Sequence, residues 1–146
     1  GVVIDRGATD GVLAGQAVLG PAATLVGVVA EVQTRTARVR LLDDPHSAVA
    51  SVVQQSRTPG ALAGTPTGLA LEFVPTEAAV ALGDLVVTSP LGGRLPAGLL
   101  IGRISKVQVR PEQLFQAIEV EPYSDYSSLE QVLLVTGFVA TEAVSP

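Results

Sequence analysis

The pair Gly20-Pro21 sits in the middle of an uncharged run, GVLAGQAVLGPAATLVGVVA over residues 11–30, and decides what that run can become. The run is long enough to cross a bilayer as a helix. It even carries a small-xxx-small spacing, Gly11 to Gly15, of the kind that packs membrane helices. Four glycines, Gln16 and Pro21 break it, however, and the Gly-Pro pair marks a turn at its centre. Two strands around a turn is therefore the reading.

The same punctuation runs through the whole chain, with 15 Gly and 10 Pro in 146 residues. Apolar residues make up 47%, mostly Val, Leu, Ala and Ile, and aromatics only 3%. Such a chain reads as all-β, built of short strands and tight turns, and its length suits one domain or two small ones. Disorder is excluded, because 16% charge against this apolar content leaves enough surface to bury to offset ordering entropy.

Val2 to Ile4 reads as a first strand, followed by a polar turn through Gly7 and Gly11. Gln16 to Leu19 and Thr24 to Val32 flank Gly20-Pro21. Ala37 to Leu42 alternates, with Val39 and Leu41 on one face and Arg38, Arg40 and Leu42 on the other. Ala48 to Gln54 follows, and Thr58-Pro59-Gly60 reads as a connector and as the domain boundary. Ala61 to Ala63 and Leu69 to Val74 form a hairpin around Thr65 to Gly68. Ala78 to Leu82 reads as one helical turn capped by Thr76. Leu85 to Thr88 is a strand, Ser89 to Gly98 a loop, and Leu99 to Val109 and Leu114 to Glu121 are strands. A turn at Ser127 to Gln131 leads into a last strand, 132–139, before a tail at 140–146.

The halves share a pattern. Gly15-Gln16-Ala17-Val18 is followed by Leu25-Val26-Gly27-Val28, and Gly83-Asp84-Leu85-Val86 by Leu100-Ile101-Gly102-Arg103. Each pair is a short strand, a loop, then a strand with glycine near its start, where a bulge or sharp coil belongs. Two small barrels or sandwiches made by duplication follow from this, with generic strand–turn–strand similarity as the alternative. The division expected is 1–57 for the first, completed by 132–139 in one version, and 58–131 for the second. Gly7, Gly11, Gly27, Gly83, Gly98 and Gly102 are expected to hold turns.

Chemistry is sparse. Net charge is −5 and the arginines are scattered, so no phosphate-binding patch for nucleic acid stands out. Without cysteine there are no disulfides, thiolates or Cys-based metal sites, and one histidine leaves carboxylates alone to hold a metal; none is expected, nor any cofactor. His46 follows Asp43 and Asp44 and precedes Ser47, yet no serine has a nucleophile-like context, and Ser89 is followed by Pro90. No catalytic residue is assigned, and a two-barrel serine-protease-like domain or a wall-carbohydrate-binding domain is the alternative function. The lack of methionine, even at position 1, leads to the expectation that the chain begins inside a longer product. The most distinctive segment is GDLVVTSPLGGRLPAGLLIGRI, residues 83–104, whose leucines either plug a barrel end or form an apolar patch for a protein partner.

In order and spacing, VVIDRGATDGVLAGQAV, LVGVVAEV, ARVRLLDDPHSAV, PGALAGTPTGLALEFVP and GDLVVTSPLGGRLPAGLLIGRISKV resemble the MreC family of bacterial rod shape-determining proteins. The resemblance covers about residues 2–136, most specifically at Gly83, Asp84, Val87, Thr88, Gly92, Gly93, Pro96, Gly98 and Gly102. His46 and Pro90 depart from the family pattern. The resemblance implies two six-stranded barrels side by side, arranged as in chymotrypsin-like proteases but without their catalytic groups. It implies a non-catalytic scaffold of cell-wall elongation on the extracytoplasmic, periplasmic side of the membrane. Implied partners are a penicillin-binding transpeptidase, the MreD and MreB complex, and a second copy in a dimer or filament. A membrane anchor and coiled coil are expected to lie outside this chain. Ser89, Leu91, Gly92, Gly93, Leu95 and Pro96 are the candidate partner-binding residues.

Overall fold

A computed structural model describes residues 2–126 and 133–134. Among the described residues, short β-branched and leucine-rich segments form eleven strands: β1 (Val2–Ile4), β2 (Ala17–Leu19), β3 (Leu25–Val32), β4 (Ala37–Leu41), β5 (Ala48–Val53), β6 (Thr58–Thr65), β7 (Gly68–Glu72), β8 (Leu85–Thr88), β9 (Leu100–Gln108), β10 (Ala117–Pro122) and β11 (Leu133–Leu134). All neighbours are antiparallel. Six close into a barrel in the order β10-β7-β6-β5-β8-β9, and five form a second sheet, β1-β4-β3-β2-β11. The expected all-β architecture thus holds, as one closed barrel beside a sheet.

The sheet repeats the barrel residue by residue. Val18 faces Gly27 in the sheet as Val86 faces Gly102 in the barrel. Gly27 then faces Leu41, and Gly102 faces Pro122. The register slips at Ala30, between Val29 and Glu31, and at the corresponding Ser105, between Ile104 and Lys106. Gly15 and Gly83 hold equivalent turns, at φ +92° and +87°. Their N–H groups donate to Val29 and Ile104 carbonyls, each at 2.8 Å. Generic strand similarity does not reproduce bulges and turn bonds at matched positions. The duplication pattern in the sequence is real in three dimensions.

Strand exchange ties the units together. The chain leaves the sheet after β4, yet β5 pairs with β8 in the barrel; it leaves the barrel after β10, yet β11 pairs with β2 in the sheet. Leu42 on the first crossover and Tyr126 on the second both enter the one apolar core, among Val18, Leu25, Val26, Leu62, Leu71, Ile101 and Ile104. Burial raises the Tyr126 phenol pKa well above its ordinary value.

Four expectations need correction. Thr58-Pro59-Gly60 is no connector: these residues pair with Val53, Val52 and Ser51 as the start of β6, so a boundary at 57/58 falls within the β5–β6 hairpin. Pro59 is tolerated because β7 reaches only as far as Ala61, leaving that stretch paired on one side. Leu42 is buried rather than on the arginine face, since the strand ends at Leu41 and the Leu42 N–H turns in to the Val26 carbonyl. The helical turn at 78–82 does not form. Gln116, buried on β10's approach, donates its side-chain amide to the carbonyls of Pro75 (2.9 Å) and Ala78 (2.8 Å), taking the acceptors a helix would need. Finally, Gly27 and Gly102 are not turn glycines, unlike Gly11, Gly83 and Gly98 at positive φ and Gly7, which caps the 3₁₀ turn Ala8–Asp10 in extended backbone. A Cβ on Gly27 would lie 2.6 Å from the Arg40 carbonyl, and one on Gly102 would collide with the Glu121 carbonyl, so the backbones themselves touch there. The turn expected at 127–131, most of the 132–139 strand and the 140–146 tail lie outside the described residues.

Candidate functional site

Thr88 ends β8 and anchors the loop that follows. Its buried hydroxyl donates to the Pro96 carbonyl at 2.7 Å and accepts the Leu99 N–H at 2.8 Å. Its main chain pairs with Leu99 and Gly98 as well, so residues 89–98 form a loop tied at its base. Ser89 is buried, with its N–H on the Ala50 carbonyl and its Oγ accepting the Leu91 N–H at 3.1 Å. It caps a single 3₁₀ turn, Pro90–Gly92, closed by Gly93 at φ +66°. Pro90, a departure from the family pattern, fits: at the first position of such a turn its missing N–H is not needed and its φ is already set.

This arrangement separates the six candidate residues. Leu91 points outward and is 83% exposed. Leu95 is half-buried and packs on the core, while Ser89 holds the turn. Gly92 lies over Ala50, where a Cβ would come within 3.0 Å of the alanine methyl. Gly93 and Pro96 shape the backbone. Of the two leucine readings, plug and patch, Leu95 follows the first and Leu91 the second.

A second exposed apolar area had no sequence signal. Phe73 and Phe115 meet edge to face with ring centroids 5.6 Å apart, both exposed, and exposed Leu114 precedes Phe115 in the chain. Pro75 bridges to Phe115, which is how residues remote in sequence join. Phe73 sits at φ +66°, an unfavourable setting for a bulky side chain. Ala70, Lys106, Gln108 and Glu119 flank the pair in a groove of about 380 Å³.

His46 is mostly exposed. Asp44 Oδ1 accepts the His46 main-chain N–H at 2.7 Å and lies 3.2 Å from its Nδ1. The first of these bonds is the main reason the Asp44 carboxyl is held below its ordinary pKa. His46 shares a cleft with Ser47 and Ser89 but hydrogen-bonds to neither hydroxyl among the described residues. Asp44 and His46 therefore make an Asx-type turn. Among the described residues no three His, Asp or Glu side chains converge to hold a metal, and no helix is long and apolar enough to cross a membrane.

Comparisons with known proteins agree on one lineage. A family profile described as "Rod shape-determining protein MreC, barrel core" matches residues 1–136. The cell shape-determining protein MreC of Escherichia coli is 34% identical over 138 residues, 93% of this chain and 37% of its own length. That of Listeria monocytogenes is 34% identical over 92% of this chain and 47% of its own. The chain thus spans less than half the length of these curated relatives. The crystal structure of MreC from Pseudomonas aeruginosa superposes with a TM-score of 0.84 at 36% identity, over 91% of this chain and 86% of that one. A structure described as a complex between penicillin-binding protein PBP2 and MreC from Helicobacter pylori shares the fold, with a TM-score of 0.66 at 20% identity over 81% and 74%.

Proposed function

This chain belongs to the MreC family of rod shape-determining proteins, and from that premise we propose that it is a non-catalytic scaffold of cell-wall elongation. It docks a penicillin-binding transpeptidase on the extracytoplasmic side of the membrane and sets that enzyme's activity by preferring one of its conformations, so the affinity difference is the activation. The observation that carries the reading is the tied 89–98 loop. It holds a large apolar side chain, Leu91, in water on a stiff base, which is how an anchor residue is presented to a partner. The existence of a PBP2–MreC complex from another organism supports the class of partner. The Phe73–Phe115 pair is a second apolar surface, suited to the MreD and MreB complex or to a second copy in a dimer or filament.

The repeat supports a finer architecture: the first sheet closes into a six-stranded barrel like the second, completed by the C-terminal chain around 132–139. The two then lie side by side in a chymotrypsin-like arrangement lacking its catalytic groups.

Calorimetric titration of this chain with the extracytoplasmic domain of its own organism's elongation transpeptidase tests the reading. Saturable binding by the wild type that Leu91→Glu abolishes, with the fold unchanged, is the expected result. Equal affinity of the folded variant removes the loop as the contact. No binding by the wild type removes the docking reading for this region.

A further inference from the structure

A cleft of about 280 Å³ opens between the first sheet and the barrel. The sheet contributes Arg40 from β4, the tied loop contributes Arg94, and the first crossover contributes His46 and Ser47. Neither guanidinium forms an ion pair or a hydrogen bond with any described residue, although the chain as a whole is acidic. Ser47 lines the same cleft, and its hydroxyl makes no hydrogen bond to any described residue. A hydroxyl open to a cleft with two unpaired arginines adds a neutral donor beside two charged ones, a set that suits an anionic acceptor.

Charge narrows the class. Two carboxylates, Asp44 and Glu31, lie close enough to Arg40 for it to contribute to their lowered pKa values, but Asp44 Oδ1 is engaged by the His46 main chain and ring and Glu31 by the Arg38 guanidinium. With Glu31 balanced by Arg38, the charges of Arg40 and Arg94 against Asp44 leave one positive charge over, which suits a monoanion and disfavours a phosphate dianion. Val28, Ala50 and Leu95 supply apolar wall for a methylene stem. We propose that this cleft binds a carboxylate presented by a peptide, an aspartate or glutamate side chain or a chain end, held between Arg40 and Arg94 with the Ser47 hydroxyl donating. The site is distinct from the Leu91 anchor, which does not line it.

The test is an NMR titration of the isotope-labelled chain. The probes are a blocked pentapeptide Ala-Leu-Glu-Leu-Ala, its glutamine twin and inorganic phosphate, against wild type, Arg40→Gln and Arg94→Gln. Saturable shifts at Ser47 and Gly92 with the glutamate peptide are expected, weakened about tenfold for the glutamine twin and about tenfold in each arginine variant, the scale of one charge-assisted contact. Leu91→Glu should leave this titration unchanged even where it abolishes transpeptidase docking, so the two ideas fail separately. Equal response to both peptides, unaltered affinity in both variants, or tighter binding of phosphate than of the peptide would each overturn the assignment.

Discussion

The first sheet and the barrel share one register, and they differ in what lies between their strands. Residues 20–24 join β2 to β3, while residues 89–99 join the equivalent β8 and β9. Residues 33–36 join β3 to β4, while residues 109–116 join β9 to β10. Both lengthened connections belong to the barrel, and they carry Leu91 on one and Leu114 and Phe115 on the other. Backbone constraints were kept in both copies. Leu91, Leu114 and Phe115 have no counterpart in the short connections of the sheet, and that is where a partner surface belongs.

The sharpest way to break the equivalence is at its paired glycines. Gly102→Ala and Gly27→Ala should each lower stability by about 2–3 kcal/mol in urea denaturation, because each added Cβ meets main chain that must shift. A neutral result at one position alone would show that the two sites are not equivalent. Next is the Thr88 clamp of the barrel's longer connection. Thr88→Val should cost about 1–3 kcal/mol and speed amide exchange through 89–98, since the Leu99 N–H loses its acceptor. The leucines then separate plug from patch. Leu91→Glu should change stability by less than about 0.5 kcal/mol, whereas Leu95→Glu should cost about 2 kcal/mol, so thermal melts of the two single variants must differ.

The smallest effect is electrostatic. At equivalent positions across the β3–β4 and β9–β10 pairs lie Glu31 with Arg38 (2.6 Å) and Lys106 with Glu119 (3.5 Å), the same contact with its signs reversed. The Arg38 hydrogen bond is the main cause of the lowered Glu31 pKa, relative to an ordinary 4.5. A depressed carboxyl contributes its stabilisation above the unfolded value and loses it as pH falls through the lower folded value, so the loss belongs to the acid side of pH 4.5. Carbon-detected titration should show Glu31 returning to the ordinary range in Arg38→Gln.

Strand positions were largely legible because period-two patterning and Gly/Pro punctuation are local signals. β8 was read to the residue, and β3 and β5 to within one. What failed was decided at a distance. Thr58-Pro59-Gly60 looks like a linker until β5 is seen to need a partner in the barrel. The helical turn at 78–82 is undone by Gln116, far along the chain. The loop at 89–95 was visible as a Gly/Pro-rich leucine cluster, but which leucine faces water depends on the Thr88 clamp and the core beneath Leu95. The Phe73–Phe115 pair had no trace, since nothing in sequence links strand ends that meet only when the barrel closes. The pairing of β5 with β8 is likewise invisible to local patterning, whereas the return of the C-terminal chain to the first unit is one version of the expected division.

Hydrogen exchange of this chain, alone and bound to the transpeptidase extracytoplasmic domain, tests most directly whether the lengthened barrel connections are the docking surface. Protection on binding should concentrate in 89–98, with 109–116 as the second region, and spare 20–24 and 33–36. Protection confined to the short connections of the first sheet, with 89–98 unchanged in a saturated complex, would contradict the account.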